Sequence, residues 1–210
     1  IAIGRPGRSG CCAGGLRILQ RGARPDFLAD AGDAFGRGIE QALIAHEFEY
    51  VFSNALASHE ASNQSGDYVS AAQSISHRAA ALLSMGRLDE AVDRGQEALD
   101  YTRKVHLPVN EGIPLAYLAN IALVRGEFEQ ADMLTEAIPG TNWSKPQLRA
   151  EKAALSGDHE SALALIPSPS DPGVRAFGAE PTIYAIRARF RFSAGDENGA
   201  REELDSWWTA

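Results

Sequence analysis

Apolar residues recur along this chain at helical spacing, and the runs end at glycine. Phe48, Val51, Phe52, Ala55, Leu56 and His59 form an i, i+3, i+4, i+7, i+8 stripe, the pattern of an amphipathic helix. The polar cluster Ser62-Asn63-Gln64-Ser65-Gly66 predicts its end. A weaker pattern precedes it from Asp33 through Ile39, Ala42, Leu43 and His46, interrupted by Gly36 and Gly38. Each of those glycines costs about 1 kcal/mol against alanine inside a helix. The next helix carries Tyr68, Val69, Ala72, Ile75, Ala79, Leu82 and Leu83 to Gly86, with Asp67 or Ser65 as its cap. Its partner holds Leu88, Ala91, Val92, Ala98 and Leu99, with Asp89 and Glu90 at one end and Arg103, Lys104 and His106 at the other, as the helix dipole favours. Pro108 closes this unit.

Pro114 suits the first turn of a helix through Leu115, Leu118, Ala119, Ala122 and Leu123 to Gly126. The following helix carries Phe128, Ala131, Leu134 and Ile138 and ends at Pro139-Gly140. Ser144-Lys145-Pro146-Gln147 has capping-box spacing and opens a helix through Leu148, Ala150, Ala153 and Leu155 to Gly157. A short helix from about His159 to Ile166 follows, and then a proline- and serine-bearing loop over 167–180. In IYAIRARFRFSAG, after Pro181, Arg187, Arg189 and Arg191 alternate with apolar residues, which a strand would also show. The Gly195/Ala200 sequel favours a helix. The last helix ends in Trp207-Trp208, where one indole is expected to cover the final repeat and a continuing chain to cover the other.

The frame Gly86-x4-Ala91-x6-Ala98 returns in related form at Gly126/Ala131, Gly157/Ala162 and Gly195/Ala200, with Ile138 in the second small position of its pair. It resembles the tetratricopeptide repeat, whose turn glycine and two small second-helix residues have this spacing. The resemblance covers residues 33–208 and implies an all-α fold, a right-handed α-solenoid of about five antiparallel helix pairs. One pair cannot bury both of its apolar faces, and stacking buries them together. The turn glycines lie 40, 31 and 38 residues apart. That irregularity resembles the repeats of large ATP-dependent LuxR-type regulators of the maltose-activator sort and of related bacterial signalling ATPases. Arg78 and Arg187 stand where the repeat normally has leucine, and Pro146 where it often has tryptophan.

Composition adds bounds. With 44% hydrophobic and 23% charged residues the chain is expected to fold. Its apolar runs are too short to span a bilayer, so no membrane contact is expected. A net charge of -8 argues against nucleic acid as a partner, since counterion release needs a basic footprint. Cys11 and Cys12 are neighbours and cannot staple distant segments, which favours a reducing, cytoplasmic setting. Residues 1–32 are set apart: their first part is rich in arginine and glycine, without helical or strand period, and reads as a poorly ordered leader or the remnant of an upstream domain. Residues 33–210 form the repeat domain. The first residue is Ile1, as expected for a piece of a longer protein.

The chemistry signals fail one by one. His46-Glu47 opens like a zinc-protease helix motif, but Tyr50 stands where the second histidine belongs. Gly4, Gly7 and Gly10 lack the Gly-Lys-Ser/Thr of a phosphate loop, and there is no Gly-x-Ser-x-Gly elbow. Asn63-Gln64-Ser65 and Asn142-Trp143-Ser144 match the glycosylation sequon and are read as chance, without a signal peptide. His59, on an apolar stripe, reads as a core histidine. No enzyme activity, cofactor or metal is expected.

The resemblance implies a concave groove lined by first-helix residues at fixed offsets before each turn glycine. Carried over, these are Gln73, Ser76 and His77 before Gly86, Tyr117 and Asn120 before Gly126, Gln147 and Glu151 before Gly157, and Arg189 before Gly195. A polar groove of this kind suits an extended peptide or a partner helix. One arginine does not make the several-cation grip used for acidic tails. The expected function is a non-catalytic protein-binding region, the sensor arm of a larger bacterial signalling or transcriptional regulator, joined to ATPase and DNA-binding domains. The alternatives are a free-standing scaffold or adaptor, and a groove that takes a small effector through Tyr117, Asn120, Gln147 and Glu151.

Overall fold

The computed structural model describes residues 47–140, 144–171 and 180–209. Among these every regular element is helical: α1 (Phe48–Ser65), α2 (Tyr68–Ser84), α3 (Leu88–Lys104), a 3-10 turn (Pro108–Glu111), α4 (Gly112–Arg125), α5 (Phe128–Ala137), α6 (Ser144–Leu155), α7 (His159–Leu165), α8 (Glu180–Ser193) and α9 (Glu197–Thr209). The expected leader and the helix from Asp33 lie outside the described residues, as do the side chains of Trp207 and Trp208.

One turn builds the repeat. At Gly86 the backbone takes φ 74°, the Gly86 N–H donates to the Leu83 carbonyl, and the Arg87 N–H donates to the Leu82 carbonyl. The left-handed conformation is open to glycine without a Cβ penalty, and the paired bonds satisfy carbonyls that the helix end would orphan. The same pair of bonds recurs at Gly66, Gly126, Gly157 and Gly195. Five residues after each glycine stands a buried alanine: Ala71, Ala91, Ala131, Ala162 and Ala200. The alanines let helices approach, and the short turns make successive helices antiparallel neighbours. His106 forms the same turn at φ 57° without glycine, at the end of α3.

α1 ends within the Ser62–Gly66 cluster as expected, at Ser65, whose hydroxyl donates to the Ser62 carbonyl, with Gly66 left-handed after it. Ser144 is the first residue of α6 rather than a cap ahead of it. Pro108 lies past the end of α3 at Lys104 and opens the 3-10 turn, where its missing N–H is tolerated. Asp67 is the cap of α2, its carboxylate accepting from the Ser70 N–H.

The described residues divide into two compact units at Ile121/Ala122. In the first, α2 packs between α1 and α3 through an alanine-rich centre, Ala71, Ala72, Ile75 and Ala79–Leu82. Gly95 in α3 is buried too. A Cβ there would stand 2.7 Å from Cδ2 of Leu118, so its absence lets α4 close on α3. In the second unit, Ala150, Ala162, Ile166, Ile183, Ile186 and Phe190 make a core shared by α6, α7 and α8. Buried small residues set these spacings, so Ala91→Leu is expected to cost the first unit about 2 kcal/mol by overpacking. Asp93→Leu, on the exposed side of the same helix, should stay within about 0.5 kcal/mol. Urea unfolding followed by circular dichroism measures both, and equal midpoints would refute the packing described.

Candidate partner-binding rows

The expected groove residues fall in both units. On α2, Gln73 is half-buried, whereas Ser76 is fully buried and its hydroxyl donates to the Ala72 carbonyl at 2.8 Å. Ser76 therefore presents no surface to a partner. His77 is largely buried, and among the described residues its Nδ1 has no hydrogen-bond partner. Burial disfavours the imidazolium and lowers its pKa to about 4. Tyr117 and Asn120, on α4, are half-buried.

In the second unit, Gln147 and Glu151 lie one turn apart on α6, and Arg189 comes from α8. The Arg189 guanidinium donates to the Glu151 carboxylate. The pair is asymmetric: the Arg189 side chain is 54% exposed and that of Glu151 16%. The guanidinium also lies over the ring of the buried Phe190, 5.0 Å from its centroid. Both residues stand six places before their turn glycines, so the contact joins equivalent positions of consecutive pairs. Arg189 is then not an isolated cation in the row.

The two arginines in leucine positions have separate accommodations. Arg78 stacks over Phe52 at 5.0 Å, and Arg87 approaches the same ring at 5.6 Å. Burial lowers the Arg78 pKa, with repulsion from Arg94 adding to it and Glu97 opposing. Arg187 donates to Glu203 Oε1 at 2.9 Å, and Arg191 donates to the same oxygen at 3.1 Å and to Asp196 at 2.8 Å. Hydrogen bonds to Asp196 and then Glu203 raise the Arg191 pKa. Sequence spacing flagged both departures but gave no sign of their partners, which lie on other helices.

His59 is half-buried rather than in the core as expected: Nδ1 is 2.9 Å from the Ala71 carbonyl, and the ring meets Tyr101 edge-on at 4.9 Å. Tyr101 in turn donates to Asn63 Oδ1 at 3.0 Å. Among the described residues no group of three or more His, Cys, Asp or Glu is placed to hold a metal ion, and no helix is long and apolar enough to cross a membrane.

No protein-family model matches the chain, and no curated protein matches it in sequence. Among solved structures it is similar to the nearly identical TPR-like repeats of a protein assigned as a kinesin light chain of Podosopora anserina. That similarity has a TM-score of 0.48 and 14% sequence identity, over 89% of this chain and 95% of the other.

Proposed function

We propose that this chain is a non-catalytic, protein-binding helical repeat, which holds an extended peptide or partner helix along the polar rows of its first helices. The Glu151–Arg189 pair carries the reading. It supports a row that continues from one helix pair to the next in one register, as a long ligand requires. Gln147 on α6 and Gln73 on α2 supply neutral amides, which can bond to a peptide backbone without selecting its charge. The irregular spacing of the turn glycines supports the further reading that the region is the regulatory arm of a larger bacterial signalling or transcriptional regulator.

Selection of displayed random peptides on the intact chain tests the binding function. Selected peptides should lose about tenfold in affinity, roughly 1.4 kcal/mol, on Arg189→Ala or Gln147→Ala. Selected peptides indifferent to both these variants and Gln73→Ala would place binding elsewhere. Sequencing the gene on both sides tests the context: a phosphate-loop ATPase upstream and a helix-turn-helix downstream are expected, and their absence removes the regulator reading alone.

A further inference from the structure

The glycine turns of the second unit share one edge. Asp132 pairs with Lys152 and Glu136 with Arg149, so α5 runs antiparallel to α6 and the Gly126 turn lies beside the Gly157 turn. Glu151 and Arg189 meet and stand the same six residues before their turn glycines, so with successive pairs repeating in one direction the Gly195 turn comes to the same edge.

Along this edge each first helix ends in a large exposed apolar side chain: Val124 at 60%, Leu155 at 57% and Phe192 at 65%. Scattered exposed apolar residues need no explanation, but three in the last turn of three successive first helices form a row. Val124 and Leu155 stand two places before their glycines and Phe192 three; the corresponding positions before Gly86 are Ser84 and the half-buried Leu83, so the row belongs to the second unit. Carboxylates follow each glycine. Glu127, Asp158 and Asp196 come immediately after it, and Glu129, Glu160 and Glu197 lie one or two residues further on, all exposed. Against these six acids the stretches Val124–Glu129, Leu155–Glu160 and Phe192–Glu197 contain a single cation, Arg125, and Arg191 reaches Asp196 from the residue before Phe192.

We infer that this edge docks an extended segment of a partner protein that carries apolar anchors flanked by lysine or arginine. The apolar row supplies contact area, and the bordering carboxylates select the charge. Packed helices lie about 10 Å apart, a distance that one three-residue turn of a polyproline-II chain (about 9 Å) covers with every third side chain on the same face. The segment therefore has an apolar residue at every third position. This surface is separate from the polar rows and stands or falls without them.

The test is fluorescence anisotropy with the intact chain and three labelled peptides, repeating Leu-Lys-Lys, Ser-Lys-Lys or Leu-Glu-Glu. The Leu-Lys-Lys peptide should bind at least about tenfold tighter than the other two and weaken with salt. Its affinity should fall about tenfold or more in the combined variant Val124→Ser, Leu155→Ser, Phe192→Ser. A second variant, Glu129→Gln with Glu160→Gln and Glu197→Gln, should bring the Leu-Lys-Lys and Leu-Glu-Glu affinities together. All six positions are exposed, and unchanged circular-dichroism melts establish that the variants fold. Equal binding of Leu-Lys-Lys and Ser-Lys-Lys would overturn the proposal, as would a Leu-Lys-Lys affinity untouched by the serine variant. Self-association of the intact chain that the serine variant abolishes would also overturn it, by making a second copy the occupant.

Discussion

Phe190→Ala is expected to destabilise the second unit by about 4 kcal/mol, the largest effect of any single change considered. Phe190 is one of the largest fully buried side chains and lies in the core with Ile183 and Ile186 of its own helix, Ala150 of α6, Ala162 of α7, and Ile166 just past the end of α7. Three of these neighbours are isoleucines and two are alanines, so few flexible side chains can move into the space. The cavity then persists, and a cavity cost adds to the lost transfer free energy. The cost weighs heavily because α7 has only seven residues and contributes little buried surface of its own. Phe192→Ala, two residues on and exposed, should change stability by no more than about 0.5 kcal/mol. Amide hydrogen exchange over α6–α9 measures both in the intact chain. Equal protection in the two variants would mean that α8 faces the other way.

That pair of residues also shows what periodicity could decide. In IYAIRARFRFSAG the alternation of arginine and apolar residues fits a strand as well as a helix. Only the glycine-alanine frame downstream tipped the reading, correctly, because a glycine turn followed by a buried alanine repeats a local geometry. Ile183, Ile186 and Phe190 share the inner face at helical spacing, while Arg187 and Arg191 turn to Glu203 on α9. The frame itself was only partly legible. Gly66/Ala71 makes the same turn and buried alanine as Gly86/Ala91, but Arg78 stands at its second small position, and the turn lies between pairs. His106 makes the same turn with a side chain that gives no warning of a left-handed conformation.

Candidate site residues were legible by offset but not by exposure. Counting back from a turn glycine placed Glu151 and Arg189 in equivalent positions, and they meet. The same count put Ser76 on the row, although its hydroxyl is turned into α2 and bonded to Ala72. Offsets fix the angle around a helix axis, but how far a neighbouring helix overhangs that angle depends on side chains elsewhere. Gly95 is such a case: its missing Cβ makes room for Leu118, a contact between α3 and α4 that no pattern within one helix encodes.

Acid should weaken the first unit through His77, by about 3 kcal/mol between pH 7 and pH 4. The imidazole sits at a pKa of about 4 in the fold because burial disfavours its charge, against an ordinary 6.5. Between those values the unfolded chain binds a proton at this site that the folded chain does not, so stability rises with pH. The contribution is complete above about pH 6.5, has lost about 2 kcal/mol by pH 5, and approaches its full loss as pH falls through 4. Exposed carboxylates add their own acid dependence, so the comparison must be with a variant that cannot titrate. His77→Phe keeps a ring in the space, removes the unpartnered Nδ1, and should flatten the pH dependence of α1–α3 by about 3 kcal/mol. Hydrogen exchange of those helices at pH 7, 5 and 4, corrected for intrinsic rates, gives the readout. Parallel losses of protection in the variant and the parent chain would show that His77 takes its proton in the folded state, and that α2 is open to water at that turn. A flattened profile would instead establish His77 as a buried packing residue that sets an acid limit on the first unit.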